Sequence, residues 1–309
     1  MKDRPRVPGL LVMFGAMLLI LGGLASYIGW RQSPGRQSVA GLEAISTGGD
    51  SIATEKFEQA VNRYLESSPP LSTHDESSER IAAYLKANAP VCGLLDQVTA
   101  AKRISFRRNW NRGFEVERLG VVDIHNLAKL NYYRMLASGD PADIRRLAAS
   151  IRTLAGYLEF DPMMASATVY APTYQLYLVA LKYALAHAGY SPAERAALAA
   201  ELADDAVRSR RIFVVALRNE SKMLEDFPQT LDRNYSASDV ATTAAGLSRL
   251  ALLLETDNPA NAAELKEWKA PDNPVAERMI NGRGYAELLE NLLSAIEAGR
   301  RELAEPVGR

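Results

Sequence analysis

Between residues 140 and 274 the chain places a polar residue before proline again and again: Asp140-Pro141, Asp161-Pro162, Ser191-Pro192, Asn258-Pro259 and Asn273-Pro274. A short polar side chain in that position accepts an unpaired N–H of a helix's first turn. The proline after it has no N–H to leave unpaired and a φ already suited to the helix. These marks set off runs in which apolar residues recur at helical spacing: 116–138, 142–159, 163–188, 193–224, 237–255, 260–266 and 275–303. Upstream, Ile52, Phe57, Ala60, Val61, Tyr64 and Leu65 share a helical pattern that stops at Ser67-Ser68-Pro69-Pro70, a second helix fits 76–88, and Pro90 opens a third carrying Cys92, Leu94, Leu95 and Val98. No convincing period-two segment is left, so the expected fold is all-α. The starts at Pro141, Pro162 and Pro192 are 21 and 30 residues apart, and no repeat signature recurs. An irregular bundle of antiparallel helical hairpins is therefore preferred over a regular solenoid.

The N-terminus reads differently. Lys2, Arg4 and Arg6 precede an uncharged run over residues 7–30, 24 residues rich in Leu, Met, Ile, Gly and Ala, with Tyr27 and Trp30 at its far end. A hydrocarbon layer of about 30 Å needs roughly 20 apolar helical residues, and aromatic rings favour its interface. The run predicts a transmembrane signal anchor. The organisation expected is a cytoplasmic basic tail (1–6), the span (7–30), a linker (31–50) and an exported helical domain (51–309), N-inside in the cytoplasmic membrane with the domain in the periplasm or outside. Gly23-Leu24-Ala25 also suits a signal peptidase. Retention is preferred because the run exceeds the apolar region of a secretory signal and no cysteine follows it closely to take a lipid. Gly15, Gly22, Ser26 and Gly29 form a small-residue face on which another membrane helix could pack.

Composition removes several function classes. With 36 Lys and Arg against 37 Asp and Glu the net charge is −1, so no whole-molecule field gathers nucleic acid. One cysteine, Cys92, cannot form an internal disulfide, and His74, His125 and His187 share no ligand spacing; no metal or cofactor is expected. The chain has no phosphate-binding glycine loop, paired-histidine zinc motif or serine-nucleophile elbow. Glu220-Ser221 occurs in lytic transglycosylases, but Lys222-Met223-Leu224 stands where that family continues with glycine, leucine, methionine and glutamine, so the assignment fails. Glu201, Asp204 and Asp205, followed by Arg208, Arg210 and Arg211, read as a salt-bridged, solvated helix face.

Two features are candidate sites. In residues 101–112, Lys102, Arg103, Arg107, Arg108 and Arg112 occur without an acid and with Phe106 and Trp110 interleaved. Guanidinium groups bind phosphate or carboxylate bidentately and aromatic rings stack, which suits an interaction patch for an anionic surface. The plainer reading is a loop whose arginines pair with nearby acids. The second feature is the run 162–193, whose one fixed charge is Lys182, with Tyr170, Tyr174, Tyr177, Leu181, Ala184 and Ala188 in one seam. A buried central helix, a second membrane span and an aromatic pocket compete there. The pocket version puts Tyr170, Tyr174, Tyr177 and Lys182 around a kink at Pro172.

Arg108-x-Trp110-x-x-Gly113, a long helix ending at Gly139-Asp140, another ending near Asp161-Pro162, and the apolar helix after it together resemble membrane-anchored, all-helical bacterial envelope proteins of no assigned activity, over about residues 92–190. The resemblance implies fold and location and brings no catalytic residue. The expected function is a non-catalytic, membrane-anchored extracytoplasmic scaffold or interaction protein of an envelope complex. Its partners would be the membrane and an envelope or membrane protein, with a second copy of the chain also in play. The alternative is an anchored enzyme or ligand-binding domain acting on an envelope polymer or lipid.

Overall fold

Asp50 starts the first helix: its Oδ1 accepts the N–H groups of Ile52 and Ala53 at 2.9 and 3.0 Å, as a polar cap should. The computed structural model describes residues 49–67, 77–106, 120–226, 235–255, 258–279 and 282–304. Within them are α1 (Ser51–Ser67), α2 (Ser78–Ala87), α3 (Ala89–Val98), α4 (Val121–Ala137), α5 (Pro141–Tyr157), a single 3₁₀ turn (Leu158–Phe160), α6 (Met164–His187), α7 (Pro192–Asp226), α8 (Ala237–Glu255), α9 (Pro259–Glu267), α10 (Pro274–Met279) and α11 (Gly282–Ala304). The described residues contain helices and no strand, packed together as an all-α bundle. The span expected at 7–30 and its face of Gly15, Gly22, Ser26 and Gly29 lie outside the described residues. No helix among the described residues is long and apolar enough to cross a membrane, which removes the second-span reading of 162–193.

Most of the proline marks are helix starts. Asp140 accepts from Ala142 N at 3.0 Å, and Asn273 Oδ1 accepts from Ala276 N at 2.8 Å. Ser191 and Glu194 form a reciprocal capping box, with Ser191 N donating to Glu194 Oε2 at 2.7 Å and Glu194 N to Ser191 Oγ at 3.3 Å. Asp161-Pro162 is the exception. Asp161 ends the 3₁₀ turn, its N–H reaching Leu158 O at 3.3 Å, and its carboxylate takes the Ser166 hydroxyl. Helix α6 begins two residues after Pro162, and its Met164 N–H is met at 3.0 Å by Glu220 Oε1, from α7. The run expected as one helix over 275–303 is two, α10 and α11. Residues 280 and 281, between them, are outside the described set.

Helix α6 is central. It packs against α4, α5, α7 and α11, while α7 also packs against α8 and α11, α1 lies on α3, and α8 carries α9 and α10. Three helix C-termini are closed by arginines from other helices, where a cation meets the negative end of the dipole. Arg145 Nη2 reaches the carbonyls of Ala188 and Gly189, both at 2.8 Å, beyond α6. Arg195 Nη2 reaches Glu302 O at 2.6 Å on α11, and Arg210 Nη1 reaches Leu254 O at 3.2 Å on α8.

Candidate functional site

The centre of the candidate site is a carboxylate that the sequence places on a solvated face and the structure buries. Asp205 on α7 is 0% exposed. Its Oδ2 accepts from Arg152 Nε of α5 at 2.6 Å and from the Tyr174 hydroxyl of α6, and its Oδ1 accepts from Arg208 Nη1 at 3.2 Å. Helix spacing explains the correction. Glu201, Asp205 and Arg208 lie at i, i+4 and i+7 on α7, the stripe that faces α5 and α6, so the partners come from neighbouring helices as well as from the next turn. Burial works against the charge of Arg152, but the hydrogen bond and field of Asp205 overcome it, and the guanidinium pKa is raised. Arg152 Nη1 also pairs with Glu201. A carboxylate enclosed in this way holds two guanidinium groups in fixed places.

Above that network a cleft of about 440 Å³ opens between α5, α7, the 3₁₀ turn and the turn after α3. Its charged wall comprises Lys102, Arg145, Arg152 and Arg208 against Glu159 and Glu201, and its aromatic wall Phe160, Tyr177 and Tyr190. Arg145 is fixed by its carbonyl contacts, by Glu194 at 2.6 Å and by the Tyr190 ring, 4.4 Å from its guanidinium carbon. Glu159 is engaged by Arg208 at 3.4 Å and by Arg211. The turn that carries Lys102 is fastened to α5 by Tyr157, whose hydroxyl lies 2.6 Å from Val98 O and 2.8 Å from Ala101 O.

The two features singled out in the sequence meet here in part. Lys102 and Tyr177 line the same cleft. Arg103 sits beside it, its guanidinium carbon 4.2 Å over the Phe160 ring. Phe106, expected in the patch, is in the core at 4% exposure, because Ile104 and Phe106 are the inward members of an alternating segment tied to α1 through Ser105 N and Thr54 Oγ1 at 2.9 Å. Arg107, Arg108, Trp110 and Arg112 lie outside the described residues.

The tyrosine seam is packed. Tyr170 and Tyr174 are among the largest fully buried side chains. Tyr170 meets Ser209 Oγ at 2.9 Å and Tyr174 meets Asp205, and burial pushes both hydroxyls up from their ordinary pKa. Helix α6 is continuous through Pro172, and its neighbours Ala171 and Thr173 are both 0% exposed. Of the three tyrosines only Tyr177 reaches the cleft. Lys182 does not belong to it. Its side chain is 73% exposed and its Nζ lies 3.4 Å from Glu302 Oε1, because Val179, Lys182 and Ala186 form the outward stripe of α6.

Sequence reasoning missed Arg145, Arg152, Glu159 and Tyr190. A signal existed in the arginines at i and i+7 on α5, but only contact with α7 shows which acids they face. Cys92 is half-buried, and burial pushes its thiol up, as befits a small core residue. No group of His, Cys, Asp and Glu among the described residues is arranged to hold a metal ion. No protein family, curated protein or solved structure matches the chain, so its function has to be argued from this arginine-lined cleft.

Proposed function

We propose that the chain is a membrane-anchored helical interaction protein of the cell envelope, anchored by residues 7–30 with its helical domain outside the cytoplasm, and that it works by binding rather than by catalysis. The observation that carries this reading is the cleft, on whose wall cationic side chains from α5, α7 and the turn after α3 converge beside aromatic rings. Its two acids are each held by a guanidinium, Glu201 by Arg152 and Glu159 by Arg208 and Arg211. Such a wall presents fixed positive charge to a partner, whereas a general base needs a carboxylate left open to take a proton. Lys102 of the basic run 102–112 lines the cleft, and the small-residue face expected of the span would offer a second contact inside the membrane. The helices between these points read as antiparallel hairpins.

Crosslinking in intact cells followed by mass spectrometry tests the reading, together with a topology reporter fused after Arg309. The expected result is a membrane or envelope protein linked through Lys102 and a reporter active only outside the cytoplasm. A reporter active only in the cytoplasm overturns the location. Recovery of the chain without any protein linked through Lys102 overturns the interaction reading.

A further inference from the structure

From this binding reading we infer that the cleft is a phosphate site, and that the phosphate group is presented to it by a lipid headgroup. The donors carry the argument. Lys102 has no hydrogen bond or ion pair among the described residues, and the Nη2 atoms of Arg152 and Arg208 donate no hydrogen bond there, although their other nitrogens are engaged. The Tyr177 hydroxyl, on the same wall, likewise has no protein acceptor among the described residues. These four groups come from three helices and a turn. Asp205 holds Arg152 and Arg208 on its two oxygens, so two like charges are set side by side before anything binds.

A planar carboxylate offers two oxygens in one plane and suits a single guanidinium fork. A phosphate offers three terminal oxygens in a tetrahedral array and a charge near −1.5 to −2 as a monoester at neutral pH, which suits several cations arriving from different directions.

The way the chain meets the domain favours a lipid source. Asp50 N donates to Arg103 O at 3.1 Å and Gly49 N to Ser105 Oγ at 2.9 Å. The contact is backbone on backbone: a Cβ at Gly49 would lie 2.3 Å from the Ile104 carbonyl carbon. Residue 49 thus lies against the segment that follows Lys102 on the cleft's rim. Eighteen residues, the length of 31–48, reach roughly 24 Å root-mean-square when they behave as a random coil, so a linker of that length would keep the rim within headgroup distance of the proposed span.

The test uses the full chain in a neutral detergent, titrated with inorganic phosphate, with dihexanoyl phosphatidic acid, with dihexanoyl phosphatidylcholine and with a glutamate tripeptide. Phosphatidic acid is expected to bind at least tenfold more tightly than phosphatidylcholine, with Lys102→Glu and Arg208→Gln each weakening it tenfold or more. Lys182→Glu, an exposed cation away from the cleft, should leave it unchanged. Circular dichroism and the melting temperature confirm that Lys102→Glu is folded. Inorganic phosphate binding as tightly as phosphatidic acid, with the same Lys102 dependence, keeps the phosphate site and overturns the lipid source. Equal loss in Lys102→Glu and Lys182→Glu, no binding of either phosphate, or tighter binding of the glutamate tripeptide overturns the site. None of these results touches the crosslinking and reporter outcomes, so the interaction reading stands or falls separately.

Discussion

Glu220 caps a helix to which it does not belong: its Oε1 accepts the backbone N–H of Met164, 56 positions earlier, at 3.0 Å. The carboxylate is 2% exposed and sits at the positive end of the α6 dipole, while neighbouring Asn219 Nδ2 reaches Pro162 O at 3.2 Å. The Glu220-Ser221 pair, a dipeptide also found in lytic transglycosylases, is thus a joint of α7, through Glu220 to α6 and through Ser221, which donates to Ala244 O at 2.7 Å, to α8. Glu220→Gln keeps an acceptor and removes the charge; it should cost about 1 kcal/mol. Glu220→Ala leaves a buried N–H without this partner and should cost about 2–3 kcal/mol. Urea denaturation compares them, and equal midpoints for the two variants would refute the cap.

Asp205 should be the most sensitive polar position. Asp205→Ala removes the common acceptor of Arg152, Arg208 and Tyr174, leaving a partly buried guanidinium and a buried hydroxyl without it. The expected loss is about 3–5 kcal/mol. Arg152→Met in the Asp205→Ala background should cost much less than it does alone, because the pair is lost as a unit. A double-mutant cycle reads this directly; strict additivity would show that the two residues act independently.

His125 makes stability depend on pH. Its Nδ1 lies 3.1 Å from Thr173 Oγ1. That hydroxyl donates to Val169 O at 2.7 Å, so the ring nitrogen serves as donor and the other nitrogen stays unprotonated in the folded state. Burial, with Lys129 adding to it, lowers the ring from 6.5 to about 3. The unfolded chain binds a proton in that interval and the folded chain does not. The contribution is therefore fully present above pH 6.5 and is lost as pH falls towards 3, with a limiting slope of about 1.4 kcal/mol per pH unit. His125→Gln should flatten the profile across that window, and an unchanged slope by chemical denaturation at several pH values would show a solvated ring.

Two glycines should respond oppositely to alanine. Gly120, before α4, has φ +88°, and a Cβ there would lie 2.8 Å from Phe57 Cε1, so Gly120→Ala should cost about 2–3 kcal/mol from backbone strain and the clash. Gly93 lies within α3, and nothing stands within 4 Å of its would-be Cβ. Gly93→Ala should stabilise by about 0.5–1 kcal/mol. Thermal melts of the two variants decide it.

Helix starts were legible wherever the cap and the helix belong to the same few residues, as at Asp140, Ser191 and Asn273. At Asp161 the acceptor for the first turn comes from Glu220, and local sequence carries no trace of a partner on another helix. The same limit governs the site. The burial of the Tyr170–Tyr174 seam follows from the lack of charge around it, and Lys102 stands out as part of a basic run. Asp205 shares its turn with arginines in a pattern that suits a solvated face equally well, and only the approach of α5 and α6 turns it into the anchor of a cleft. Lys182, as one charge in an apolar run, suits a pocket and a side chain that reaches solvent equally well until the outward stripe of α6 is known.

The arginines that close α6, α8 and α11 bear on how the domain folds. Each cap joins residues far apart in sequence, Arg145 to Ala188, Arg210 to Leu254 and Arg195 to Glu302, so none of these three helices carries its own full set of end contacts into an excised fragment. The helices should therefore melt in one cooperative transition rather than piecewise, and a chain begun at the start of α6, α8 or α11 would keep that helix while losing the arginine that closes it.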